Sequence, residues 1–520
     1  MNKRINNIVI VGGGTAGWLV ASRLSAKHQA SPDSNITITL VESPTLKPVG
    51  VGEGTWPTMR TTLKSMGISE AEFIVECDAT FKQGSKFNGW VNGHKDDQYY
   101  HPFSPPAGYP KQNHLPYWQS FRDEASFSNM FCPQEFVCEK GLAPKLISTA
   151  EYAPVTNYAY HLNAGKFSAM LKRHCMKKYS VQHVLDDVVR VNAAEDGDIS
   201  SVTTKLNGDI SGDLFVDCSG FNSLLLGGHY NVPFIEKLDT LFVDSALAVQ
   251  IPYENEDSPI ACVTESTATS AGWIWDIGLT NRKGIGHVYS SRHTTEEKAA
   301  AELESYLGKE VMTRAEVNKI PIKPGHRHHP WEKNCVAIGL SAGFLEPLEA
   351  SAIVQVELSA DWLCDQLPET RETMDIVSKR FNAEVTYRWS RIIDFLKLHY
   401  VLSQRTDNDF WIDNRDPASI PESLQESLEL WKYHYPWTHD FTHSNEIFCA
   451  ASYQYILSGM GFHTNSSHTP TREEQIQARE NISNNRRTAE NFAHYLPKHR
   501  DLLNKIKQHN TRKTPDCESS

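Results

Sequence analysis

The stretch INNIVIVGGGTAGWLVASRLSAK, Ile5–Lys27, decides the fold of this chain. Its apolar residues Ile8–Val11 predict a short buried strand, and the glycines after them predict a tight turn. Beyond the turn, Leu19, Val20 and Leu24 predict the inner face of a helix. A strand, a glycine-rich turn and a helix in this order are typical of the start of a Rossmann-like βαβ unit, which places the chain in the α/β class.

Three glycines of the turn each have their own physical reason. Gly12 permits the tight turn, Gly14 lets the backbone approach a pyrophosphate, and Gly17 lets the helix pack close to the strand. A second strand, NITITLVE, ends at Glu42, 25 residues beyond Gly17, near the distance at which an acidic side chain meets a ribose hydroxyl. The turn therefore predicts a bound dinucleotide, which these residues alone leave open as FAD or NAD(P).

Two later segments repeat the strand-to-turn pattern. Leu214–Val216 predict one strand, and Val336–Ile338 predict another that leads into a helix over 351–363. These segments predict one nucleotide-binding domain assembled from distant stretches of the chain. A mobile loop, rather than a regular element, is predicted where three glycines fall within five residues, at Gly50, Gly52 and Gly54.

Composition narrows the function further. The chain has 520 residues, 40% of them hydrophobic, and a formal net charge of −12, which disfavours nucleic acid and anionic membranes as partners. No apolar run approaches the ~20 residues that cross a bilayer, and the N-terminus lacks a signal-peptide pattern, so we predict a cytoplasmic protein. The 10 cysteines contain no CxxC pair, which predicts reduced thiols. The histidines of GHRHHPW are predicted to be solvated, and no metal site is predicted.

The segment GWIWDIGL, Gly272–Leu279, holds two tryptophans two residues apart. Because side chains alternate across a strand, Trp273 and Trp275 face the same side. They form either part of a hydrophobic core or a wall beside a cofactor, and the segment alone leaves both interpretations open.

Lys82 stands in CDATFKQGSKFNGW among Phe81, Phe87 and Trp90. If these apolar neighbours bury its ammonium group, desolvation lowers the pKa and leaves either a nucleophilic amine or a directed hydrogen-bond donor. The alternative is a surface lysine that lies along a helix and extends its ammonium group into water.

Four motifs together resemble the flavin-dependent halogenases of the tryptophan halogenase type. They are the glycine turn, the Lys82 segment, Trp273–Ile277, and the segment GFLEPLEASA around Glu349, and the resemblance spans residues 5 to about 465. It implies a Rossmann-like FAD-binding domain of the flavin monooxygenase and halogenase type, with a mainly helical substrate-binding domain. It also implies FADH2 from a separate NAD(P)H-dependent flavin reductase. O2 then forms a flavin hydroperoxide, a halide attacks it, and hypohalous acid travels through a tunnel to an arene.

The resemblance also assigns functional residues. Lys82 carries or polarises the hypohalous acid, and Glu349 stabilises the cationic ring intermediate and accepts the displaced proton. Glu346 is the competing carboxylate, and a helix-entry role is the alternative for both glutamates. Trp273 and Trp275 discourage reaction of the substrate at the flavin. The remaining assignments are Gly12, Gly14, Thr15, Ala16, Gly17, Glu42, Gly50, Val51, Gly52, Glu53 and Leu340 for the cofactor, Ser351 and Ala352 for the halide, and His101, Phe103, Tyr453 and Gln454 for the arene.

The chain departs from the family pattern at three places. Gly278 replaces the proline of the W-x-W-x-I-P segment, which leaves the two tryptophans in place. Ser351 and Ala352 replace a threonine and a glycine beside the halide, and we expect bromide to be used at least as well as chloride. Where tryptophan halogenases clamp an amino acid, Met460 cannot hold an ammonium group. We therefore expect indole or another small electron-rich arene, or a larger indole-bearing molecule, with free tryptophan as the alternative.

The predicted organisation places an FAD-binding part at residues 1–370, with a substrate-pocket insertion at about 75–150. A mainly helical substrate-binding part follows at 371–510, and 511–520 is predicted to be a disordered tail. A homodimer is expected from its general frequency. Two other functions stay open at this point: an aromatic-hydroxylating flavin monooxygenase, and a flavin-binding scaffold without enzymatic activity.

Overall fold

The structure is a computed structural model of the chain and describes residues 3–29, 35–45 and 52–513. The chain divides into two compact units, each built from three segments. Unit 1 contains Met1–Asp78, Leu162–Glu236 and Lys323–Trp389. Unit 2 contains Ala79–His161, Lys237–Ile322 and Ser390–Ser520. The predicted division into functional parts at about residue 370 stays a prediction.

The bounds of the strands and helices follow in chain order. The strands are β1 Asn7–Val11, β2 Thr37–Glu42, β3 Gly52–Gly54, β4 Thr80–Lys82, β5 Gly84–Asn88, β6 Gln98–Pro102, β7 Ala159–Asn163, β8 Gln182–Leu185, β9 Val188–Ala193, β10 Ile199–Thr204, β11 Gly208–Ser211, β12 Leu214–Asp217, β13 Phe234–Glu236, β14 Ser245–Pro252, β15 Thr264–Ala268, β16 Gly272–Gly278, β17 Arg282–Tyr289, β18 Asn318–Pro321, β19 Gly325–Arg327, β20 Trp331–Glu332, β21 Cys335–Ala337 and β22 Gly343–Phe344. The α-helices are α1 Thr15–His28, α2 Thr58–Met66, α3 Glu70–Glu76, α4 Leu115–Gln119, α5 Phe127–Phe131, α6 Gln134–Glu139, α7 Ala164–Lys178, α8 Glu296–Leu307, α9 Lys309–Arg314, α10 Ser351–Asp365, α11 Arg371–Val401, α12 Asp409–Asp413, α13 Glu422–Trp431, α14 Ala450–Gly459, α15 Arg472–Tyr495 and α16 His499–Lys513.

Unit 1 is organised around a six-stranded sheet in the order β20-β21-β12-β1-β2-β8. The pairs that join β21, β12, β1, β2 and β8 are all parallel. On one face of β1, Val9 and Val11 pack in a core cluster with Ile199 and Val202 of β10. The helix α1 buries Trp18, Leu19, Val20 and Leu24. The α/β class and the assembly of one sheet from distant stretches are confirmed.

Unit 2 contains a seven-stranded sheet in the order β18-β14-β17-β16-β15-β5-β6. Only the β5–β15 pair is parallel, and the other pairs are antiparallel. Every residue of β16 is buried. The later helices of this unit include α15, which begins with a capping box between Thr471 and Glu474. The predicted helical character of the chain after residue 370 is confirmed.

Two local predictions are wrong. Gly52–Gly54 form the strand β3 rather than an irregular loop, because glycine adopts extended backbone as readily as turns. Helix α16 continues to Lys513, which is three residues into the predicted disordered tail. Gly50, Val51 and residues 514–520 lie outside the described residues.

Candidate functional site

The glycine turn after β1 has the geometry that its sequence predicts. Gly12 has φ +119°, and a Cβ there would lie 2.1 Å from the carbonyl oxygen of Cys218. A Cβ on Gly17 would lie 1.8 Å from the carbonyl oxygen of Gly12. Gly14 differs, because a Cβ there would have no neighbouring atom within 4 Å. Two glycines therefore permit close packing, and the third leaves an open backbone face that a ligand can approach.

The open face of Gly14 lies at the N-terminus of α1. Gly14 is the N-cap residue, and it has no side-chain cap hydrogen bond. The first N–H groups of a helix lack intrahelical acceptors, and the helix dipole adds a partial positive charge there. Since β1, β2, β12 and β21 are parallel neighbours, their carboxyl ends meet at this same edge of the sheet. This edge fits a pyrophosphate.

Glu42 ends β2 beside the turn, and its carboxylate already has two protein partners. Its Oε2 lies 2.9 Å from Lys172 Nζ and 2.8 Å from His183 Nε2. A Cβ on Gly13 would lie 2.3 Å from Glu42 Cγ, so only glycine at this position leaves room for the glutamate. Gly13 and Lys172 were not among the predicted site residues, and no local pattern in the sequence indicates the pairing of Lys172 with Glu42. The ribose contact of Glu42 stays a prediction.

A second turn approaches the glycine turn within unit 1. A Cβ on Gly339 would lie 2.7 Å from the Cβ of Ala16, and the next residue, Leu340, is 36% exposed. An exposed leucine beside a nucleotide-type turn suits contact with a flat apolar ring. Thr15 Oγ1 donates to the carbonyl of Ala164 at 3.5 Å. The described residues therefore fit a dinucleotide such as FAD.

Glu53 lies on β3 and belongs to the predicted cofactor set. Desolvation raises the pKa of its carboxyl to about 7. The side chain is thus part-protonated near neutral pH and can donate a hydrogen bond as well as accept one. Its contact with the cofactor stays a prediction.

The entry to α10 contains two non-glycine residues in the left-handed region. Glu349 has φ 62° and Ala350 has φ 55°. Trp56 Nε1 donates to the carbonyl of Glu349 at 2.8 Å, which holds this conformation. Ser351 and Ala352 then open a helix of 15 residues without a side-chain cap. Backbone of this type is costly and occurs often at functional sites, and the uncapped amides suit an anion.

Burial does not separate the two candidate carboxylates. Glu349 is 6% exposed and Glu346 is 1% exposed. Glu349 is distinguished by its left-handed backbone and by the contact of its carbonyl with Trp56. The choice of Glu349 as the base stays a prediction.

Lys82 is the last residue of β4 in unit 2 and is only 1% exposed. Its Nζ lies 5.3 Å from the centre of the Phe103 ring, within the range of a cation–π contact. The alternative of a surface lysine on a helix is wrong, because Lys82 lies on a strand and its side chain is buried. Lys82 and Phe103, both predicted as functional, are therefore brought together.

The other predicted substrate residues of unit 2 are packed into aromatic surroundings. His101 is 6% exposed, and its ring centre lies 5.7 Å from that of Phe395 and 6.3 Å from that of Tyr455. Tyr455 donates its hydroxyl hydrogen to the carbonyl of Ser104 at 3.0 Å, beside Phe103. His101 and Phe103 are thus held by the strand β6 and its extension.

Tyr453 and Gln454 are both buried on α14. Tyr453 packs against Phe441 at 4.6 Å between ring centres. Gln454 Nε2 donates to Asn113 Oδ1 and to the carbonyl of Pro436, each at 3.1 Å. Its Oε1 is buried with no hydrogen-bond partner in the part of the chain that is described. The amide therefore orders protein segments, and its contact with a substrate stays a prediction.

The two tryptophans of β16 are buried on one face of the strand. Trp273 is 1% exposed and Trp275 is 6% exposed, and their ring centres lie 6.4 Å apart. A Cβ on Gly286 of β17 would lie 2.1 Å from Trp275, so the indole requires a glycine on the neighbouring strand. The prediction that both face the same side is confirmed. Their proposed position beside the flavin stays a prediction.

Comparison with known proteins decides the family. Residues 7–475 match the tryptophan halogenase family. This chain belongs to that family. It is 34% identical to the tryptophan 6-halogenase SttH of Streptomyces toxytricini over 481 residues, which cover 88% of this chain and 89% of SttH.

Two solved structures resemble the fold of this halogenase throughout. The tryptophan halogenase from Shewanella frigidimarina is 46% identical with a TM-score of 0.95, and the match covers 98% of each chain. Tar14, a tryptophan C-6 flavin-dependent halogenase (chlorinase) from taromycin biosynthesis, is 33% identical with a TM-score of 0.88. That match covers 96% of this chain and 100% of Tar14.

The protein is therefore a flavin-dependent halogenase, an oxidoreductase that uses FADH2, O2 and a halide. Enzymes of this kind generally need a separate flavin reductase. Among the helices that the structure describes, none is both long and apolar enough to cross a bilayer. In the same described ranges, no cluster of three or more His, Cys, Asp or Glu side chains is arranged to hold a metal ion.

Proposed function

We propose that this halogenase attaches a halogen to indole or a similar electron-rich arene, with Lys82 as the residue that handles the hypohalous acid. The observation that carries this proposal is the buried amine. Lys82 is 1% exposed and lies 5.3 Å from the ring centre of Phe103. An amine held at an aromatic wall inside the protein can deliver halogen to an arene bound there and keep reactive acid away from bulk water.

The chemistry divides between the cofactor and the chain. Reduced FAD with O2 supplies the oxidising power that converts halide to hypohalous acid. Lys82 then acts in one of two ways. As a neutral amine it takes the halogen and releases water, and as an ammonium group it donates a hydrogen bond that polarises the acid. Glu349 is proposed to stabilise the cationic ring and accept the proton that the halogen displaces.

The substrate proposal depends on the character of α14. The Nε2 atom of Gln454 is occupied by Asn113 and Pro436. Met460 is 1% exposed and has no strong acceptor for an ammonium group, which favours an arene without an amino-acid head over free tryptophan. Free tryptophan is the alternative substrate, because relatives of this chain are named tryptophan halogenases.

The halide proposal depends on the entry to α10. Ser351 retains a hydroxyl and Ala352 adds a methyl group to the segment whose amides are uncapped. We propose that bromide, which is also easier to oxidise, is used at least as well as chloride. A competition assay with equal concentrations of both halides tests this, and overwhelmingly chlorinated product would contradict it.

Three further features belong to the proposal. They are a tunnel for the hypohalous acid, Trp273 and Trp275 as the segment that discourages direct oxygenation of the substrate, and a homodimer. A cytoplasmic location is proposed with them. Analytical ultracentrifugation of the purified protein tests the dimer, and a single monomeric species at micromolar concentration would contradict it.

The test of the proposed function uses the whole protein with a flavin reductase, NADH, FAD and bromide. Indole and free tryptophan are offered separately, and products are analysed by mass spectrometry. A bromine isotope doublet on indole, at a higher rate than on tryptophan, is expected. Addition of one oxygen without bromine would instead support an aromatic hydroxylase, and absence of product with indole, with tryptophan and with a panel of further arenes would support a scaffold.

A further inference from the structure

A buried histidine that no assignment above uses lies on the same sheet face as Lys82. In the antiparallel β4–β7 pair, Thr80 is opposite His161 and Lys82 is opposite Ala159. Directly opposed residues share a face, and residues two apart along a strand do so as well. His161 and Lys82 are therefore diagonal neighbours on one face. His161 is 0% exposed and Lys82 is 1% exposed.

The imidazole of His161 has one hydrogen bond and one unused nitrogen. Its Nε2 lies 2.8 Å from Thr264 Oγ1 on β15. Its Nδ1 is buried and has no hydrogen-bond partner within the described ranges of the chain. A buried polar nitrogen without a partner is costly, so this atom indicates a group or water molecule that completes it.

The ring of His161 is neutral. Burial, then the positive charge of Lys82, then His499 lower its pKa well below the ordinary value. A neutral imidazole bonded through Nε2–H to a hydroxyl presents a lone pair at Nδ1. The nearby positive charge of Lys82 favours this tautomer, because a lone pair attracts an ammonium group.

A second buried histidine, His499, is bonded to β4 and adds no positive charge there. The backbone N–H of Phe81 donates to His499 Nε2 at 3.0 Å, and His499 Nδ1 donates to the carbonyl of Ile260 at 3.2 Å. These two bonds define its tautomer. Burial lowers the pKa of His499 to about 4. The imidazoles of His161 and His499 are thus both uncharged at neutral pH.

We propose that His161 is a positioning residue for Lys82: its Nδ1 accepts a hydrogen bond that reaches the Lys82 amine through one bridging water molecule. The bond holds Nζ at the ring of Phe103, 5.3 Å from its centre. It also completes the buried Nδ1. Thr264 orients the imidazole from the opposite side through Nε2. The inference rests on the proposed role of Lys82 in transferring halogen.

The test compares the fate of the oxidised halogen in His161→Leu and in the parent enzyme. Product on indole and hypohalous acid captured by an added scavenger are measured in the same reaction. Loss of a hydrogen bond that contributes about 1.4 kcal/mol corresponds to a roughly tenfold fall in rate. In His161→Leu we expect kcat for indole to fall by about tenfold or more with KM nearly unchanged. The moles of captured hypohalous acid should rise by as much as the moles of product fall, because His161 is not needed for the oxidation of halide.

Two further variants separate positioning from simple packing. His161→Asn keeps a polar atom near the Nδ1 position and should recover transfer to within about threefold of the parent. His287→Leu is the matched control, because His287 is also 0% exposed in unit 2, with both ring nitrogens hydrogen bonded, to Ala299 and Thr269. It should lose thermal stability and keep the parental division between product and captured acid.

The outcomes distinguish this inference from the proposed function. If His161→Leu divides the halogen as the parent does while Lys82→Ala loses arene product, the positioning role is overturned and the lysine role survives. If Lys82→Ala retains full arene halogenation, both are overturned. Should His161→Leu fail to fold, Thr264→Val provides the second measurement, since it removes only the hydroxyl that orients the ring. A parental division in Thr264→Val would also count against the positioning role.

Discussion

The candidate sites in the two units of this halogenase consist of different chemical groups. Unit 1 uses backbone: glycines without Cβ atoms, the uncapped start of α1 and the left-handed residues before α10. Unit 2 uses buried polar side chains among aromatic rings, and Lys82 and His161 are two of them. Backbone amides can bind a phosphate or a halide whatever the side chains are. Handling of hypohalous acid instead needs a particular functional group in a particular place.

The largest effect is expected when the amine of Lys82 is removed. Lys82→Ala should lower arene halogenation by about 10³-fold or more, since one group supplies the transfer step. FAD binding, which we propose for unit 1, should stay at the parental level, as measured by fluorescence titration. Lys145→Ala is the matched control, because Lys145 is another buried lysine of unit 2, 4% exposed. Near-parental halogenation by Lys82→Ala would contradict the proposal that unit 2 supplies an essential side chain for halogen transfer.

The next test asks whether unit 1 also contributes a side chain to the chemistry. Glu349→Gln should slow product formation by about 10²-fold, the usual scale for a positioned base. Glu346→Gln is the matched control on the same turn and should have a smaller effect. Steady-state rates with indole and bromide measure both. If the two effects are reversed, Glu346 is the base, and a Glu349→Gln rate within twofold of the parent removes this role from Glu349.

A third test separates the two functions of the glycine turn. Gly17→Ala introduces a Cβ 1.8 Å from the Gly12 carbonyl oxygen, so the helix must shift at a cost of about 1–3 kcal/mol. We expect the Tm to fall by several degrees, even without cofactor. Gly14→Ala meets no atom within 4 Å. It should keep the parental Tm without cofactor and lose about tenfold in FAD affinity if the pyrophosphate occupies that face.

Calorimetry and FAD titration of the two glycine variants together check this prediction. Equal loss of stability in both would show that the turn is purely structural. Parental FAD affinity in Gly14→Ala would show that the ligand approaches from another side.

The smallest expected effect concerns a buried carboxyl within the framework of unit 1. Glu357 on α10 is 0% exposed, accepts a hydrogen bond from Thr62 Oγ1 at 2.7 Å, and has its pKa raised by burial from 4.5 to about 8. Between pH 4.5 and 8 the folded protein therefore binds more protons than the unfolded chain. The free energy of unfolding should then decrease as the pH rises through this window.

Glu357→Gln should flatten this dependence, because the amide does not titrate. The Tm difference between pH 6 and pH 9 should be smaller than in the parent, as measured by calorimetry. Glu316→Gln, at an exposed loop position, is the control and should leave the slope unchanged. An unaltered slope in Glu357→Gln would assign the pH dependence to other groups.

Local patterns in the sequence were sufficient for the first elements of unit 1 and for the start of α10. The strand β1, the glycine turn and α1 are adjacent in the chain, and their periodicity and missing Cβ atoms reflect interactions between near neighbours. The helix predicted over 351–363 corresponds to α10, which starts at Ser351 as predicted. The prediction of an irregular loop at Gly52–Gly54 was wrong, because these residues form a strand. A short glycine-rich segment is compatible with both strand and loop, so the local pattern does not distinguish them.

The sequence by itself determined the fold class, the nucleotide turn and the resemblance to halogenases, since each rests on short motifs whose own residues are adjacent in the chain. Only the tertiary structure decided that Lys82 is buried at Phe103, that Lys172 pairs with Glu42, and that His161 lies on the face of Lys82. The physical reason is distance along the chain. Lys172 is 130 residues from Glu42, and His161 meets β4 only through a strand pair closed by folding. Burial and partnership of such groups arise from long-range packing, which no local pattern encodes.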